Sequence, residues 1–403
     1  MVRLPERLRP YFGPLKSAYT IGTWAVSPAT VRLSASYGGG WLPTGVAETL
    51  EEAGGRFSLA RPAEVLHRAR PVGVPERYWA FEEALEETVP RVGVVELDHG
   101  RVLQPHALVV TADNRQLYEL CWYFGTKRPR EHPAFLHPFP PAPVEVPGRL
   151  GVLASRGDVN YYHFLHDVLP RTEVLAQAGV EPPERWYVPR ATRFQKELLE
   201  LWGIGEDQVV DASEVRHVRA QTLVVPGLAS TIERNPPWVS RLLRDRLAPA
   251  GVDRVPGKHL LLTRGPGRNN RSVTNEPEVR ALLEPWGFTP FDPGAVSVAE
   301  QIRTFAEADV IVAPHGASLA NIAFCSPGSA LVELFPAGSM VADFWKMADG
   351  VEGLDYRYLS GTGKRVGTTR SEFVVADITV DLKALEAMVS ALLAERQARE
   401  RAR

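Results

Sequence analysis

Short apolar runs alternate with longer amphipathic segments along the chain, and this alternation predicts an α/β protein. The apolar runs at 150–154, 186–188 and 222–226 predict strands that are separated by helical segments. A second series of the same kind begins at residue 258. Strands that alternate with helices form parallel sheets that are covered by helices on both faces. We therefore expect two Rossmann-like lobes whose parallel sheets face each other across a cleft.

Outside these two series the pattern is weaker. Residues 1–85 mix turns and polar segments, so we expect an irregular N-terminal extension. Short strands predicted at 92–97 and 107–111 suit a hairpin, because residues 98–100 between them favour a turn. The patterns predict four parts: an extension of unclear role at 1–85, a first lobe at 86–250, a second lobe at 251–375 and a charged C-terminal helix at 376–403.

Composition narrows the functional classes. The chain has 403 residues, of which 44% are hydrophobic, and its net charge of −2 argues against a nucleic-acid-binding protein. Its two cysteines, Cys121 and Cys325, form no metal-ligand spacing, so we expect buried thiols in a reducing compartment. We find no long uncharged apolar run and no secretory signal pattern. A cytoplasmic protein is therefore expected, and peripheral contact at the inner face of a membrane stays open.

One group of candidate residues follows the apolar strand predicted at 309–313. His315 and Gly316 come directly after this strand, and a helix is expected to begin after them. The N-terminus of a helix presents unpaired N–H groups and a positive partial charge, which suit an anion. The next strand, at 330–335, carries the ionisable Glu333 within an apolar run. The alternative is an ordinary strand–helix unit in which Glu333 pairs with a core arginine.

A basic loop follows the strand that opens the second series. It carries Arg264, Arg268 and Arg271 among glycines and asparagines. Guanidinium groups pair bidentately with phosphate oxygens, so this loop suits a diphosphate, with a solvated basic loop as the alternative. Asn275 and Glu276 begin the next helix, where helix capping and ligand binding are both open.

A polar cluster opens the first helix of the first lobe. On a helix, His163 and Asp167 share a face because they are four residues apart, and Asn160 lies about one turn earlier. A carboxylate beside an imidazole fixes the tautomer and raises the basicity of the ring, so the pair suits a general base in which either residue could take the proton. His166 points about 100° away and is the weaker candidate. The alternative is a structural helix start that is capped by Asn160 or Asp158.

Three of these segments resemble glycosyltransferase family 61. Residues 314–321 resemble the family's His-Gly-Ala-x-Leu-x-Asn segment. Residues 160–167 resemble its Asn-aromatic-aromatic-His-x-x-x-Asp segment, and residues 262–276 resemble its Ser/Thr-Arg segment, which continues through a basic run to Asn-Glu. The three segments occur in the family's order.

The resemblance implies an inverting glycosyltransferase with the GT-B arrangement. It would transfer a sugar from a nucleotide sugar, with UDP as the expected nucleotide, to a glycan or lipid-linked glycan acceptor in capsular or other surface polysaccharide synthesis. The chain lacks the Asp-x-Asp that often holds a cation, so we expect neither a metal nor a cofactor. His163 and Asp167 are the expected catalytic residues. The expected nucleotide-sugar ligands are Asn160, Arg264, Arg268, Arg271, Asn275, Glu276, His315, Gly316, Ala317, Asn321 and Glu333.

Other functional classes stay open. Loss of His163 or Asp167 would favour a non-catalytic nucleotide- or glycan-binding relative, and both residues are present. A two-lobed nucleotide-sugar epimerase would place its carboxylate and histidine pairs at the donor sugar and would need no acceptor. An oxidoreductase is disfavoured, because no Gly-x-Gly-x-x-Gly follows a predicted strand. The oligomeric state is open, and a homo-oligomer is among the options.

Overall fold

A computed structural model of the chain describes residues 9–120, 128–230, 234–264, 272–364 and 376–401. The chain divides into two compact units. The first unit comprises residues 1–63 and 90–229, and the second comprises residues 64–89 and 230–403. This division differs from the four predicted parts, because residues 64–89 and the C-terminal helix belong to the second unit.

The helices and strands are numbered in chain order. The helices are α1 (Arg9–Tyr37), α2 (Trp79–Glu82), α3 (Tyr161–His163), α4 (Arg171–Gln177), α5 (Arg193–Trp202), α6 (Pro237–Leu247), α7 (Glu276–Leu283), α8 (Val298–Glu307), α9 (Asp343–Ala348) and α10 (Leu382–Arg401). The strands up to residue 120 are β1 (Gly45–Ala47), β2 (Arg56–Arg61), β3 (Glu64–His67), β4 (Val72–Val74), β5 (Glu86–Val89), β6 (Val92–Asp98), β7 (Arg101–Leu103), β8 (Leu108–Val110) and β9 (Arg115–Leu117). The later strands are β10 (Val144–Val152), β11 (Arg185–Val188), β12 (Val209–Asp211), β13 (His217–Pro226), β14 (His259–Leu262), β15 (Phe288–Phe291), β16 (Val310–Pro314), β17 (Ala330–Phe335) and β18 (Asp355–Ser360). Among the described residues, no helix is long and apolar enough to cross a membrane.

The first unit is built on a mixed sheet. Strands β13, β10, β11 and β12 lie side by side and pair in parallel, as the alternation of strands and helices predicts. The opposite edge is largely antiparallel, because β6 and β7 both pair antiparallel with β13 and β8 continues from β7. The sheet is therefore mixed: its parallel part follows the predicted strand–helix series, and its antiparallel edge lies before that series in the chain. Its core is made by alternate strand residues, among them Val95, Val109, Leu150, Val152 and Leu223.

The hairpin predicted between residues 92–97 and 107–111 does not form. The backbone at 99 and 100 keeps its hydrogen bonds to β13, from the His99 N–H to the Gln221 carbonyl at 2.9 Å and from the Ala220 N–H to the Gly100 carbonyl at 3.0 Å. The turn residues therefore produce only a break between β6 and β7. Both strands pair with β13, one after the other. The hairpin instead joins β7 to β8.

The predicted irregular extension at 1–85 is wrong as well, since these residues form α1 and four strands. Helix α1 contains Pro14 and Pro28, which argue against a helix in any reading of the sequence. It is held by tertiary packing, and the Trp24 ring meets the Phe135 ring edge-on at 5.1 Å. Strands β1 and β2 join the mixed sheet, whereas β4 joins the second unit.

The second unit contains a fully parallel sheet in the described residues, which confirms the prediction for this part of the chain. The strand order is β15, β14, β16, β17, β18 and β4. When the five strands β14 to β18 are numbered in chain order, they lie in the 2-1-3-4-5 order of doubly wound Rossmann-like sheets. Helices α7 and α10 pack their apolar residues on the sheet, with Val279, Leu283, Leu385, Val389 and Leu392 in the core.

Residues 64–89 are tied to the second unit by buried charges. The Arg68 guanidinium lies 2.9 Å from the Glu87 carboxylate, and the Lys346 ammonium on α9 lies 2.7 Å from the other oxygen of Glu87. Breaking a buried pair by removing one partner leaves an uncompensated charge. These contacts, together with the pairing of β4 to β18, explain why residues 64–89 do not stay with their neighbours in sequence.

Candidate active site

The first unit has a topological switch point at the carboxyl end of β10. Strand β10 is followed by β11 on one side and borders β13 on the other, and all three are parallel. In open sheets of this kind, ligands bind in the crevice outside the carboxyl ends of the strands at such a point. The chain leaves β10 through residues 153–160 and enters α3, so the start of α3 lies at this position.

The helix predicted to follow Asn160 in the first lobe is interrupted. Asn160 caps α3, because its side-chain oxygen accepts the Tyr162 N–H at 2.9 Å. After one turn, Phe164–Val168 forms a π-helical turn, in which the Leu169 N–H reaches back to the Phe164 carbonyl at 3.2 Å. Pro170 has no N–H to donate, and the helix resumes at Arg171 as α4. Single π turns within helices occur frequently at functional sites.

The His163–Asp167 pair joins the last residue of α3 to the π turn that follows it. The distance from His163 Nδ1 to Asp167 Oδ2 is 2.7 Å, and the two residues are 6% and 1% exposed. Because a carboxylate accepts, His163 donates from Nδ1 and Nε2 becomes the basic nitrogen of the ring. The ring packs on Gly157, where a Cβ atom would lie 2.6 Å from His163 Cγ. Only glycine therefore fits beside this imidazole. His166, the weaker candidate, is buried and stacks on Tyr162.

Asp158 belongs to the same loop and was considered in the sequence only as a helix cap. Its Oδ2 accepts the Ser155 N–H at 3.0 Å, and its backbone carbonyl accepts from the Gln195 side chain at 2.8 Å. Burial raises the pKa of Asp158 to about 7, although the Ser155 hydrogen bond and the charge of His163 oppose the shift. A carboxyl group that titrates near neutrality next to a histidine is typical of active sites.

Arg171 is a further residue that sequence reasoning missed. Its guanidinium is fully buried and donates to the Pro226 carbonyl at 2.9 Å and to the carbonyls of Leu153 and Ala154 at 3.2 and 3.1 Å. These carbonyls lie at the carboxyl ends of β13 and β10, so one side chain joins both strands at the switch point. Burial lowers the pKa of Arg171 to about 9, and the Asp167 carboxylate opposes this shift. An arginine in an amphipathic helix gives no sequence signal for this role.

The second unit has its own switch point between β14 and β16, where Arg264 and His315 follow the two strands. The Arg264 Nη2 donates to the His315 carbonyl at 2.8 Å. A Cβ atom at Gly316 would lie 2.0 Å from that same Nη2. The backbone of Gly316 is extended, with φ of 173°, so any residue could adopt its conformation, and a side chain here would instead displace the guanidinium. Burial lowers the pKa of Arg264.

His315 is held by Glu333. His315 Nδ1 lies 2.5 Å from Glu333 Oε1, and the Tyr356 hydroxyl donates to Glu333 Oε2 at 2.5 Å. Glu333 is 0% exposed, and its carboxylate positions the His315 ring. The His315 ring also stacks on Phe335, with the ring centres 5.1 Å apart.

The helix expected after His315 is a 3₁₀ segment, Ala317–Phe324. Gly316 and Ala317 lie at its start, as predicted. The Asn321 side chain is buried and donates to the Gln301 side chain on α8 at 3.0 Å and to the Ser318 carbonyl at 3.1 Å. Asn321 therefore fixes the segment against α8.

Asn275 and Glu276 also have structural partners. The Asn275 side chain donates to the Val380 carbonyl at 3.0 Å and accepts the Val380 N–H at 2.9 Å, so it pairs with the backbone before α10 and makes no helix cap. Glu276 pairs with Arg280 one turn later, at 2.9 Å. The function proposed below does not depend on either side chain. Arg268 and Arg271 lie outside the described residues, within which no group of three or more His, Cys, Asp or Glu residues could hold a metal.

Comparison with known protein families indicates the functional class of the protein. Residues 161–332 match the family model described as Glycosyltransferase 61. Over this stretch, a little under half of the chain, the sequence is similar to glycosyltransferase family 61. The matched stretch runs from the first residue of α3 into β17, so it contains His163, Asp167, Arg264 and His315 and ends one residue before Glu333. Among curated proteins, none matches the chain.

The chain is therefore a glycosyltransferase, and its substrates are a sugar donor and a glycan acceptor. This result confirms the family resemblance that the three sequence segments carry. It argues against the epimerase that the sequence left open.

Proposed function

We propose that this glycosyltransferase is an inverting, metal-independent enzyme that uses a UDP-sugar donor. The buried His163–Asp167 pair carries the proposal, because it places a base with a fixed tautomer at a switch point of the sheet. His163 is the base in this proposal. Asp167, which is 1% exposed and bonded to Nδ1, orients the ring and stabilises its protonated form.

The reaction follows from this geometry. The acceptor hydroxyl gives its proton to His163 Nε2 while its oxygen attacks the anomeric carbon of the donor sugar. The new C–O bond forms as the bond between the anomeric carbon and the phosphate oxygen breaks, and UDP leaves with the bonding electrons. A single base and in-line attack invert the anomeric centre. General base catalysis of this kind contributes roughly 10²- to 10⁴-fold to the rate.

The donor is assigned to the switch point of the second unit. Arg264 would pair with the diphosphate, and His315 with the backbone of Gly316 and Ala317 would face the phosphate or the donor sugar. The position of Arg264 against the His315 carbonyl supports this assignment, because a partly buried guanidinium binds phosphate oxygens more strongly than an exposed one. Cationic side chains of this kind can stabilise the leaving diphosphate without a metal.

The biological setting is part of the same proposal. We assign the enzyme to the GT-B arrangement and to capsular or other surface polysaccharide synthesis, on the resemblance of its three segments to the family. A cytoplasmic location, with peripheral contact at the inner face of the membrane, is supported by the few cysteines. Cys325 is a buried thiol, and burial raises its pKa to about 12. Cys121 lies outside the described residues.

Calorimetric titration of the full chain with UDP in the presence of EDTA tests the donor and the metal independence together. We expect micromolar UDP binding that EDTA leaves unchanged. Binding of GDP in place of UDP would contradict the donor assignment. UDP binding that disappears with EDTA and returns with a divalent cation would contradict metal independence, and binding of NAD alone would overturn the proposal.

A further inference from the structure

Helix α1 presents a stripe of apolar side chains to solvent. The stripe consists of Leu15, Tyr19, Val26, Leu33 and Tyr37, which are between 39% and 68% exposed. These residues follow one another in steps of four or seven positions, so they share one face of the helix. The surface helix of a globular protein normally turns such a face towards the core and presents charged and polar residues to solvent. Helix α1 does the opposite.

The buried face of the same helix is polar. Thr20, Thr23, Ser27 and Thr30 are at most 6% exposed. The Thr20 hydroxyl donates to the Ser17 carbonyl at 3.0 Å, and the Thr30 hydroxyl donates to the Ser27 carbonyl at 2.7 Å, so these two groups are satisfied within the helix. Hydroxyl residues therefore face the protein while apolar residues face outward. An exposed, contiguous apolar surface of this kind marks a site that meets a partner or a membrane.

The apolar surface continues beyond the end of α1. The Phe139 side chain is 64% exposed, and its ring meets the Tyr37 ring edge-on with the ring centres 5.6 Å apart. The apolar stripe of α1 and Phe139 together are called the outward face below. Tyrosines such as Tyr19 and Tyr37 are enriched where lipid meets water, because the ring is apolar and the hydroxyl is polar.

The charges around the outward face are positive. Helix α1 contains no acidic residue, and its Arg32 is exposed. A 3₁₀ turn lies beside α1, since the Ser17 hydroxyl donates to the Glu131 carboxylate in this turn at 2.6 Å. At this turn Arg128 and Arg130 are exposed as well. The net charge of the whole chain is −2, so the positive border is a local feature.

We propose that the outward face of α1 binds the surface of an anionic lipid bilayer. The apolar side chains insert at the boundary between headgroups and acyl chains, and the arginines beside them meet the lipid phosphates. A second copy of the chain is the other partner that suits an apolar stripe. Two copies packed through α1 would bring like charges together, because the helix has no carboxylate to pair with Arg32. The charges therefore favour lipid over a second copy.

The inference deepens the proposed function and rests on it for the role of the membrane. Helix α1 belongs to the same unit as His163, the proposed base that meets the acceptor hydroxyl. Binding of this unit to a bilayer brings it to the surface on which a lipid-linked glycan acceptor is held. The acceptor class that follows is a glycan carried on a membrane lipid.

Co-sedimentation of the full chain with vesicles tests the binding. We expect saturable binding to vesicles of equal parts phosphatidylglycerol and phosphatidylcholine, at least about 10-fold tighter than to vesicles of phosphatidylcholine alone. High salt should weaken this binding without abolishing it, because salt screens the charges and leaves the apolar insertion intact. Absence of saturable binding, or equal binding to both kinds of vesicle, would overturn the proposal.

Matched variants locate the binding surface. Val26→Glu combined with Leu33→Glu should weaken vesicle binding by at least about 10-fold, because apolar contacts are lost and negative charge is added to the outward face. Both side chains are exposed, so the thermal midpoint should stay unchanged. Val144→Glu combined with Leu201→Glu is the control, since it adds the same charge at exposed apolar residues of the first unit outside the outward face. An equal loss of vesicle binding in the control would overturn the assignment to α1.

The role of charge is tested at Arg32. Arg32→Gln should weaken binding to the anionic vesicles by about fivefold and leave binding to phosphatidylcholine unchanged, as expected for one cationic side chain near an anionic surface. An equal change on both kinds of vesicle would contradict the charge contribution that distinguishes lipid from a second copy.

Sedimentation velocity without lipid tests the second copy. A chain that stays monomeric at the concentration used with vesicles supports lipid as the partner. A dimer that dissociates in Val26→Glu combined with Leu33→Glu, together with no vesicle binding by the wild type, would overturn the proposal in favour of self-association.

The two proposals fail separately. The variant with Val26→Glu and Leu33→Glu should keep the UDP affinity of the wild type, because the proposed donor site lies in the second unit. Vesicle binding by a wild-type chain that does not bind UDP would contradict the donor assignment and leave the membrane surface standing. UDP binding without vesicle binding would contradict the membrane surface alone.

Discussion

Each of the two units holds a histidine–carboxylate pair at the carboxyl ends of its parallel strands, and the pairs are built differently. In the first unit both partners come from one helical segment, with His163 at the end of α3 and Asp167 in the π turn that follows. In the second unit His315 follows β16, whereas Glu333 comes from the neighbouring β17 and is shared with Tyr356. The His315 ring is also enclosed by Phe335 and Phe344. The same chemical pair therefore suits proton transfer in one unit and fixed positioning in the other.

The largest expected effect is the loss of kcat in His163→Ala, and it distinguishes His163 from His315. His163→Ala should lower kcat by roughly 10²- to 10⁴-fold, because the acceptor hydroxyl loses its base. UDP affinity should stay within about twofold, since the proposal assigns nucleotide binding to Arg264. Steady-state kinetics and calorimetry measure the two quantities on the same protein.

Asp167→Asn is the matched variant for His163. It keeps the shape of the side chain but no longer stabilises a protonated His163, so kcat should fall and UDP affinity should not. If His315→Ala lowers kcat as much as His163→Ala does, the contrast between the two pairs is wrong.

The next effect concerns the donor. Arg264→Ala should weaken UDP binding by roughly 1.5 to 3 kcal/mol, the range for hydrogen bonds to a charged group. Gly316→Ala should weaken it as well, because the added Cβ atom would meet Arg264 Nη2 at 2.0 Å and displace the guanidinium. Calorimetry with UDP measures both changes.

Gly22→Ala provides the control for Gly316→Ala. Gly22 lies in α1, and nothing lies within 4 Å of the position that a Cβ atom would take. Unchanged UDP affinity in Gly316→Ala would show that the guanidinium position against the backbone is not needed for binding.

The two pairs also differ in how far sequence could predict them. The spacing of His163 and Asp167 indicates their contact directly, and the contact persists although the helix is π-helical at that point. The contact of His315 with Glu333 depends on the pairing of β16 with β17, in which Ala313 is opposite Glu333. An isolated glutamate in an apolar run reveals that it needs a polar partner, but it does not reveal which one. For that reason the sequence suggested a ribose ligand.

The fold shows the same division between local and distant contacts. The parallel sheet of the second unit follows from its alternating strands and helices. The antiparallel edge of the first sheet, the pairing of β4 with β18 and the helix α1 depend on partners far away in sequence, which no local pattern identifies. Arg171 and Asn275 illustrate this at the level of single side chains, because both bond to backbone groups at distant positions.

A smaller effect should distinguish the carboxylate of Glu333 from that of Asp167. Glu333→Gln replaces one acceptor oxygen with a donor, although both His315 and Tyr356 present donors to it. We expect a loss of about 1–3 kcal/mol in the free energy of unfolding, the cost of an unsatisfied buried group, with a smaller loss of kcat than in Asp167→Asn. Urea unfolding and steady-state kinetics measure this. A larger loss of kcat in Glu333→Gln than in Asp167→Asn would reverse the assigned roles.

The smallest expected effect is a pH dependence that belongs to the first unit. The pKa of Asp158 is raised to about 7 from an ordinary value of 3.8, so between these values the folded protein binds a proton that the unfolded chain releases. This group therefore makes stability fall as pH rises through that window and has no further effect above it. Asp158→Asn keeps an acceptor for the Ser155 N–H and removes the titration. The difference in thermal midpoint between variant and wild type should grow in favour of the variant up to about pH 7 and then stay constant. Parallel midpoint curves would show that the Asp158 carboxyl group stays ionised throughout this window and would contradict the raised pKa.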